Sequence, residues 1–90
     1  MYTKQTFIVN KLGLHARPAS ELVLLAKTFQ SNVFIRNISD GSAPMNAKRI
    51  GSIMAGDYSQ GMCVEISAEG TDEAEAVEKL IAAIDGGFGE

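Results

Sequence analysis

Gln5–Phe29, QTFIVNKLGLHARPASELVLLAKTF, changes its apolar period partway along, and that change sets the fold class. Gln5 to Asn10 is rich in Thr, Phe, Ile and Val and predicts a strand. Lys11 to Leu14 predicts a turn around Gly13. From Ala16 onward the apolar residues Ala16, Ala19, Leu22, Val23, Ala26 and Phe29 form a helical stripe. Pro18 is confined to the first turn, where its missing N–H costs little, so a helix is predicted over Ala16–Phe29.

Beyond this unit, Val33, Phe34, Ile35 and Ile38 predict a second strand over Asn32–Ile38, followed by a polar Asp40-Gly41-Ser42 turn. Ala43–Asn46 is a possible short strand. Ala47–Ala55 carries Ile50, Ile53 and Met54 at helical spacing, weakened by Gly51 and Ser52, and predicts a short helix. Met62, Val64, Ile66 and Ala68 alternate with Cys63, Glu65 and Ser67, which predicts a strand with one buried face. Thr71 is the expected cap of a last helix with Asp72 and Glu73 in its first turn. Its stripe of Ala74, Val77, Leu80, Ile81 and Ile84 runs to Gly86-Gly87. The expected fold is α+β, a four-stranded, mostly antiparallel sheet with three helices on one face, as a single domain over residues 1–90.

Composition narrows the function. The 90 residues are 46% hydrophobic and 21% charged, an ordinary globular balance. The unbroken apolar run Leu22–Ala26 falls far short of the roughly 20 residues of a membrane span, and the N-terminus lacks signal-peptide features. With Cys63 as the one cysteine no internal disulfide forms, which agrees with a cytoplasmic location. One His and one Cys build no structural zinc site, so no metal or cofactor is expected. Residues 1–49 carry a balance of +5 and residues 50–90 one of −8, which reads as two solvated faces or as a basic docking face for an acidic partner. An isoelectric point near 5.0 and the lack of an aromatic platform argue against nucleic acid.

With a single histidine, nucleophilic or carrier chemistry rests on His15. It precedes Ala16 at the expected N-cap, where first-turn amides point outward and the helix end is positive. An anion transferred to the ring sits beside Arg17, whose guanidinium offers two parallel hydrogen bonds to phosphate oxygens. The backbone amides of Ala16 and Arg17 are the expected phosphate-binding donors. Taken alone, His-Ala-Arg-Pro reads more readily as a capping or surface histidine.

The full run Asn10-Lys11-Leu12-Gly13-Leu14-His15-Ala16-Arg17-Pro18-Ala19 resembles the phosphorylation-site motif of HPr, the phosphocarrier of the bacterial phosphoenolpyruvate-dependent sugar phosphotransferase system. The resemblance extends over essentially the whole chain and implies the HPr open-faced β-sandwich. It also implies the cycle: Enzyme I phosphorylates Nδ1 of His15, Arg17 steadies the group, and an enzyme IIA domain of a sugar permease takes it, with no turnover by the carrier alone. The family's docking surface maps onto Ala16, Ser20, Leu24 and Lys27 on one side and Ala47, Lys48, Arg49, Ile50, Gly51 and Met54 on the other, with one of Ile50 and Met54 expected to face inward. A monomer is expected, because a carrier shows one face to successive partners.

Arg49 falls where many HPr proteins of low-GC Gram-positive bacteria carry a serine phosphorylated by HPr kinase. Ser52 lies one helical turn on, and recognition there needs a shifted register, so serine regulation is not expected. The nitrogen-branch paralogue NPr is the alternative within the family, toward which Lys11-Leu12-Gly13 and the ending Gly87-Phe88-Gly89-Glu90 lean. From another class, a ferredoxin-like small-molecule-binding module fits less well: a third helix follows the last strand, and a ligand pocket does not require His-Ala-Arg-Pro at a helix start.

Overall fold

The computed structural model describes residues 1–89; Glu90, the last residue of the ending just named, lies outside the described residues. Its elements follow the expected order: β1 (Tyr2–Phe7), α1 (Ala16–Ala26), β2 (Asn32–Asn37), β3 (Met45–Asn46), α2 (Ile50–Ala55), β4 (Cys63–Glu69) and α3 (Glu73–Asp85), then a 3-10 turn at Gly87–Gly89. The sheet order is β1-β4-β2-β3, and every pairing is antiparallel. Helix α3 lies across β1, β4 and β2, and α1 packs on α3 and α2. The expected alternation of β4 holds for its inward face, where Val64, Ile66 and Ala68 are fully buried with Val33 and Ile35 beside them, but Ser67 on the other face is buried too and Met62 precedes the strand. The inward residues meet Leu22 and Ala26 of α1, Ile53 of α2, and Val77, Leu80 and Ile84 of α3 in one core.

Strand β1 starts and ends three residues earlier than the sequence pattern suggests. Its helix-side residues are polar: Tyr2 and Lys4 both donate to Glu78 of α3, Lys4 at 2.9 Å, and Thr6 donates to Asp85. Phe7 stands on the open face instead, 60% exposed. On that face Gln5, Glu65 and Arg36 share a register row, with Glu65 accepting from Gln5 at 3.1 Å and pairing with Arg36 at 3.3 Å. Helix α1 stops short of Phe29 because Thr28 turns its hydroxyl back onto the Leu25 carbonyl, and the last amides make tighter three-residue bonds. Helix α2 begins at Ile50 rather than Ala47, because the Asn46 side chain takes the Lys48 amide at 2.9 Å while the Ala47 amide pairs with Val33.

Asp72, not Thr71, holds the N-cap position of α3, and its side chain is spent elsewhere than on a capping bond. Its carboxylate accepts the amides of Gln30 and Ser31, each at 2.9 Å, and the Ser31 hydroxyl, which ties the α1–β2 connection to α3. These bonds, the Ser31 hydroxyl first, hold the carboxyl below the usual Asp range. The folded value lies below the unfolded one, so this stabilisation is complete above about pH 4 and is lost as the pH falls through the folded value.

The β1–α1 loop is seated on the segment before β4. The Gly13 amide bonds the Asn10 carbonyl at 2.9 Å, and Leu14 donates to the Tyr58 carbonyl at 2.9 Å. Ile8 and Gly61 continue the contact, with the Gly61 amide on the Ile8 carbonyl at 2.8 Å. Gly13 has φ +68°, and a Cβ there would lie 2.3 Å from the Tyr58 carbonyl oxygen. Gly61, at φ +85°, has open space around it.

Two outcomes follow for stability. Asp72→Ala is expected to lower Tm at about pH 7, with the gap to the parent narrowing toward about pH 3; a gap independent of pH would show that the carboxylate charge is not involved. Gly13→Ala, which meets both backbone strain and a carbonyl, is expected to lose about 3 kcal/mol or more in urea denaturation, and Gly61→Ala about 1–2 kcal/mol. Equal losses at the two sites would remove the close approach to Tyr58 as a constraint.

Candidate functional site

Strand β1 and the seated loop deliver His15 to the N-terminus of α1. His15 is the N-cap residue in extended conformation, φ −76° and ψ −170°, and its side chain makes no capping hydrogen bond to the helix. Its carbonyl accepts the Ala19 amide at 2.9 Å, which closes the first turn. Pro18 has no N–H, and helical geometry gives the Ala16 and Arg17 amides no intrahelical acceptor, so these two donors sit at the positive helix end that follows His15 in the chain. The first turn contains no acidic residue to compete for that end. His15 itself is half-buried, and Ala16 and Arg17 are exposed. The Arg17 side chain leans along the helix toward Glu21, Nε to Oε1 3.9 Å, a long and solvated pair that gives up little when the guanidinium moves.

The loop is also held from the far side. Asn10 is buried, and its side-chain amide donates to the Gly87 carbonyl at 2.9 Å, just past α3. The motif residues before His15 are thus fixed by Tyr58 on one side and by the end of α3 on the other.

The expected docking residues divide. Ala16, Ser20, Leu24 and Lys27 form one exposed stripe along α1 that runs from the site for roughly 17 Å, at 1.5 Å per residue. Lys27 then meets Lys48, Arg49, Ile50 and Gly51 around an open cleft of about 580 Å³, together with Met45 and Ser52. Ile50 and Met54 both face outward, 44% and 52% exposed, contrary to the expectation that one turns in. They lie four residues apart on one side of α2, and Ile53 takes the inward position at 1%. Ala47 is fully buried and belongs to the core under the approach to α2, so it offers nothing to a partner. The Lys48 ammonium is partly engaged, donating to the Phe29 carbonyl at 2.7 Å.

The sequence pattern did not single out Tyr58 or Met45. Tyr58 had one visible signal, a lone aromatic residue in the polar run Gly56-Asp57-Tyr58-Ser59-Gln60-Gly61. Met45 had none, since its strand is two residues long. Among the described residues no group of three or more His, Cys, Asp and Glu is placed to hold a metal ion, and no helix is long and apolar enough to cross a membrane.

Known proteins place this geometry. The family model described as the PTS HPr component phosphorylation site matches residues 2–85. The chain is 40% identical to the phosphocarrier protein NPr of Proteus mirabilis over 97% of its own length and 94% of the relative, and 38% identical to the phosphocarrier protein HPr of Haemophilus influenzae over 93% and 95%. HPr of Thermoanaerobacter tengcongensis superposes with a TM-score of 0.92 at 42% identity, covering 100% of this chain and 98% of that one. A second structure from that organism, described as an HPr dimer, gives 0.77 at 44% identity over 94% of each. With the sheet order, the helix-end histidine and a family match over nearly the full length in agreement, this chain belongs to the HPr family of phosphocarrier proteins.

Proposed function

We propose that the protein, as one domain of residues 1–90 in the cytoplasm, carries a phosphoryl group on His15 between phospho-Enzyme I and an enzyme IIA domain of the sugar phosphotransferase system. The observation that carries this reading is the N-cap position of His15: its side chain does not cap α1, and the helix end beside it offers backbone amides without an acid in the first turn. In the transfer, the Nδ1 lone pair of His15 attacks phosphorus and an N–P bond forms. The bond from phosphorus to the donor breaks, and its electron pair leaves with the donor. Transfer to the acceptor runs the same step with the roles exchanged, so the electron count closes without an oxidant or reductant.

The amides of Ala16 and Arg17 and the Arg17 guanidinium stabilise the negative oxygens as they pass. The exposed stripe Ser20, Leu24 and Lys27 with Lys48, Arg49, Ile50 and Met54 receives both partners, and its cations select acidic surfaces. Arg49, exposed at the start of α2, adds to that charge in place of a serine. The carrier works as a monomer, although some relatives are described as dimers. The nitrogen branch is the second reading, since proteins named NPr match this chain at about the same identity as those named HPr.

Intact mass after incubation with phosphoenolpyruvate and Enzyme I is expected to show one acid-labile phosphoryl group, absent in His15→Ala, whose stability stays within about 1 kcal/mol of the parent. Phosphorylation only by the nitrogen-system homologue of Enzyme I selects the second reading, and none by either returns His15 to a structural role. Arg17→Glu is expected to slow transfer roughly 10- to 150-fold, the loss of a charge-assisted bond worth about 1.5–3 kcal/mol, without unfolding.

Arg49→Glu is expected to raise KM for Enzyme I severalfold with kcat little changed. Added salt should weaken the parent more than the variant. A KM insensitive to both salt and substitution would take Arg49 out of the docking surface.

A further inference from the structure

We propose that Tyr58 is a positioning residue for His15: its buried ring, wedged against Gly56 at the end of α2, sets the carbonyl on which the residue before His15 hangs. The inference rests on the phosphocarrier reading for its meaning, but not for its geometry. Tyr58 lies in a connection whose other members Asp57, Ser59 and Gln60 are exposed, yet it is only 5% exposed itself. Its backbone carbonyl accepts the Leu14 amide at 2.9 Å, one residue from His15. The same carbonyl faces Gly13 so closely that a Cβ there would lie 2.3 Å away.

The ring is confined from the other side. A Cβ on Gly56 would lie 2.3 Å from Cε2 and 2.9 Å from Cζ of Tyr58. Gly56 is the C-cap of α2, with φ −84°, so the glycine is required by the ring and not by its own backbone. The next residues extend the seat: Gln60 donates from its side chain to the Val9 carbonyl at 3.2 Å, and Gly61 bonds Ile8. A displacement of the ring therefore moves the Tyr58 carbonyl, and with it Leu14 and the start of α1.

The ring acts by bulk. Burial, with Asp40 nearby, pushes the phenol up to about 12, so the side chain stays neutral throughout the working range and neither takes nor gives a proton there. A phenylalanine fills the same wedge, and a leucine leaves it partly empty.

The test compares Tyr58→Leu, Tyr58→Phe, Gly56→Ala and the double variant Gly56→Ala/Tyr58→Leu. Two readouts are used: the imidazole 15N and 1H signals of His15 in the unphosphorylated protein, and kcat and KM for phosphorylation by Enzyme I with phosphoenolpyruvate. Tyr58→Leu is expected to shift the His15 signals and lower kcat about tenfold, with KM changed by less than about twofold, because a misplaced nucleophile loses rate rather than docking. Tyr58→Phe should match the parent in both. Gly56→Ala, which pushes the ring, should shift the signals in the parent but add little in the leucine background.

A Tyr58→Leu protein that melts earlier but keeps the parent's His15 signals and kcat overturns the proposal and leaves Tyr58 an ordinary core residue, as does a phenylalanine that fails to restore them. If Tyr58→Leu does not fold, the Gly56→Ala signals decide alone. If the parent itself accepts no phosphoryl group, the carrier reading fails and the His15 signals still decide the positioning.

Discussion

The amide of Leu14 hangs from the carbonyl of Tyr58 at 2.9 Å, and the direction in which α1 leaves the sheet depends on that bond. Without it the β1–α1 loop would keep its ties through Asn10, the Val9 carbonyl and the strand-end bonds of Ile8, none of which holds the residue next to His15. With it, the chain is held at both shoulders of the turn, and Gly13 is pressed between them at positive φ. The consequence reaches two elements at once. Helix α1 starts at a fixed place on the core, so Ala19, Leu22 and Ala26 meet α3, and the residue at its N-cap is presented at a fixed height above the sheet. A histidine on a mobile loop would need to be reordered at each encounter, which costs rotational and backbone freedom every time.

Charge is arranged by the same folding. The basic first half of the chain does not simply face the acidic second half. Lys4 is taken up by Glu78 and Arg36 by Glu65, each across the sheet or onto α3. Lys27, Lys48 and Arg49 instead gather around the cleft between α1 and α2, with Lys48 steadied by a backbone carbonyl. The +5 balance of residues 1–49 therefore does two jobs: part of it closes the fold against α3 and β4, and Lys27, Lys48 and Arg49 collect where α1 ends and α2 begins. The exposed pair Leu24 and Met54 gives that charged side an apolar component, the composition expected of a surface that binds and releases.

Much of the fold was legible because its deciding positions are local. The alternation Val64, Ile66, Ala68 and the stripe Val77, Leu80, Ile81, Ile84 follow their element's own period and are buried as expected, whereas Ala74, expected in the same stripe, is exposed and Ala76 faces the core instead. The errors lie where the deciding partner is distant. The apolar pattern puts strand β1 three residues late because its inward face is Tyr2, Lys4 and Thr6, whose polar side chains find their partners only in Glu78 and Asp85 of the distant α3. Thr71 was the better cap on local grounds, and Asp72 won because Gln30 and Ser31, some forty residues earlier, use its carboxylate. At the site, His15 and Arg17 could be singled out from the motif, but Tyr58 could not: its role lies in a carbonyl and a ring edge, neither of which has a spacing to read.

The capping position itself sharpens the functional argument. An N-cap Ser, Asp, Asn or Thr in place of a poor capping residue stabilises a helix by about 0.5–2 kcal/mol, and α1 carries instead a histidine whose side chain makes no capping bond. Pro18 removes one further donor from the same turn. Helix α3 also lacks a side-chain capping bond, because Asp72 turns its carboxylate to Gln30 and Ser31, but its first turn carries the acids Glu73 and Glu75. The two helices share a core and differ in their first turns, α3 saturated with carboxylates and α1 free of them. That difference leaves the first turn of α1 without a carboxylate of its own, which is the setting that the proposed phosphoryl transfer to His15 calls for.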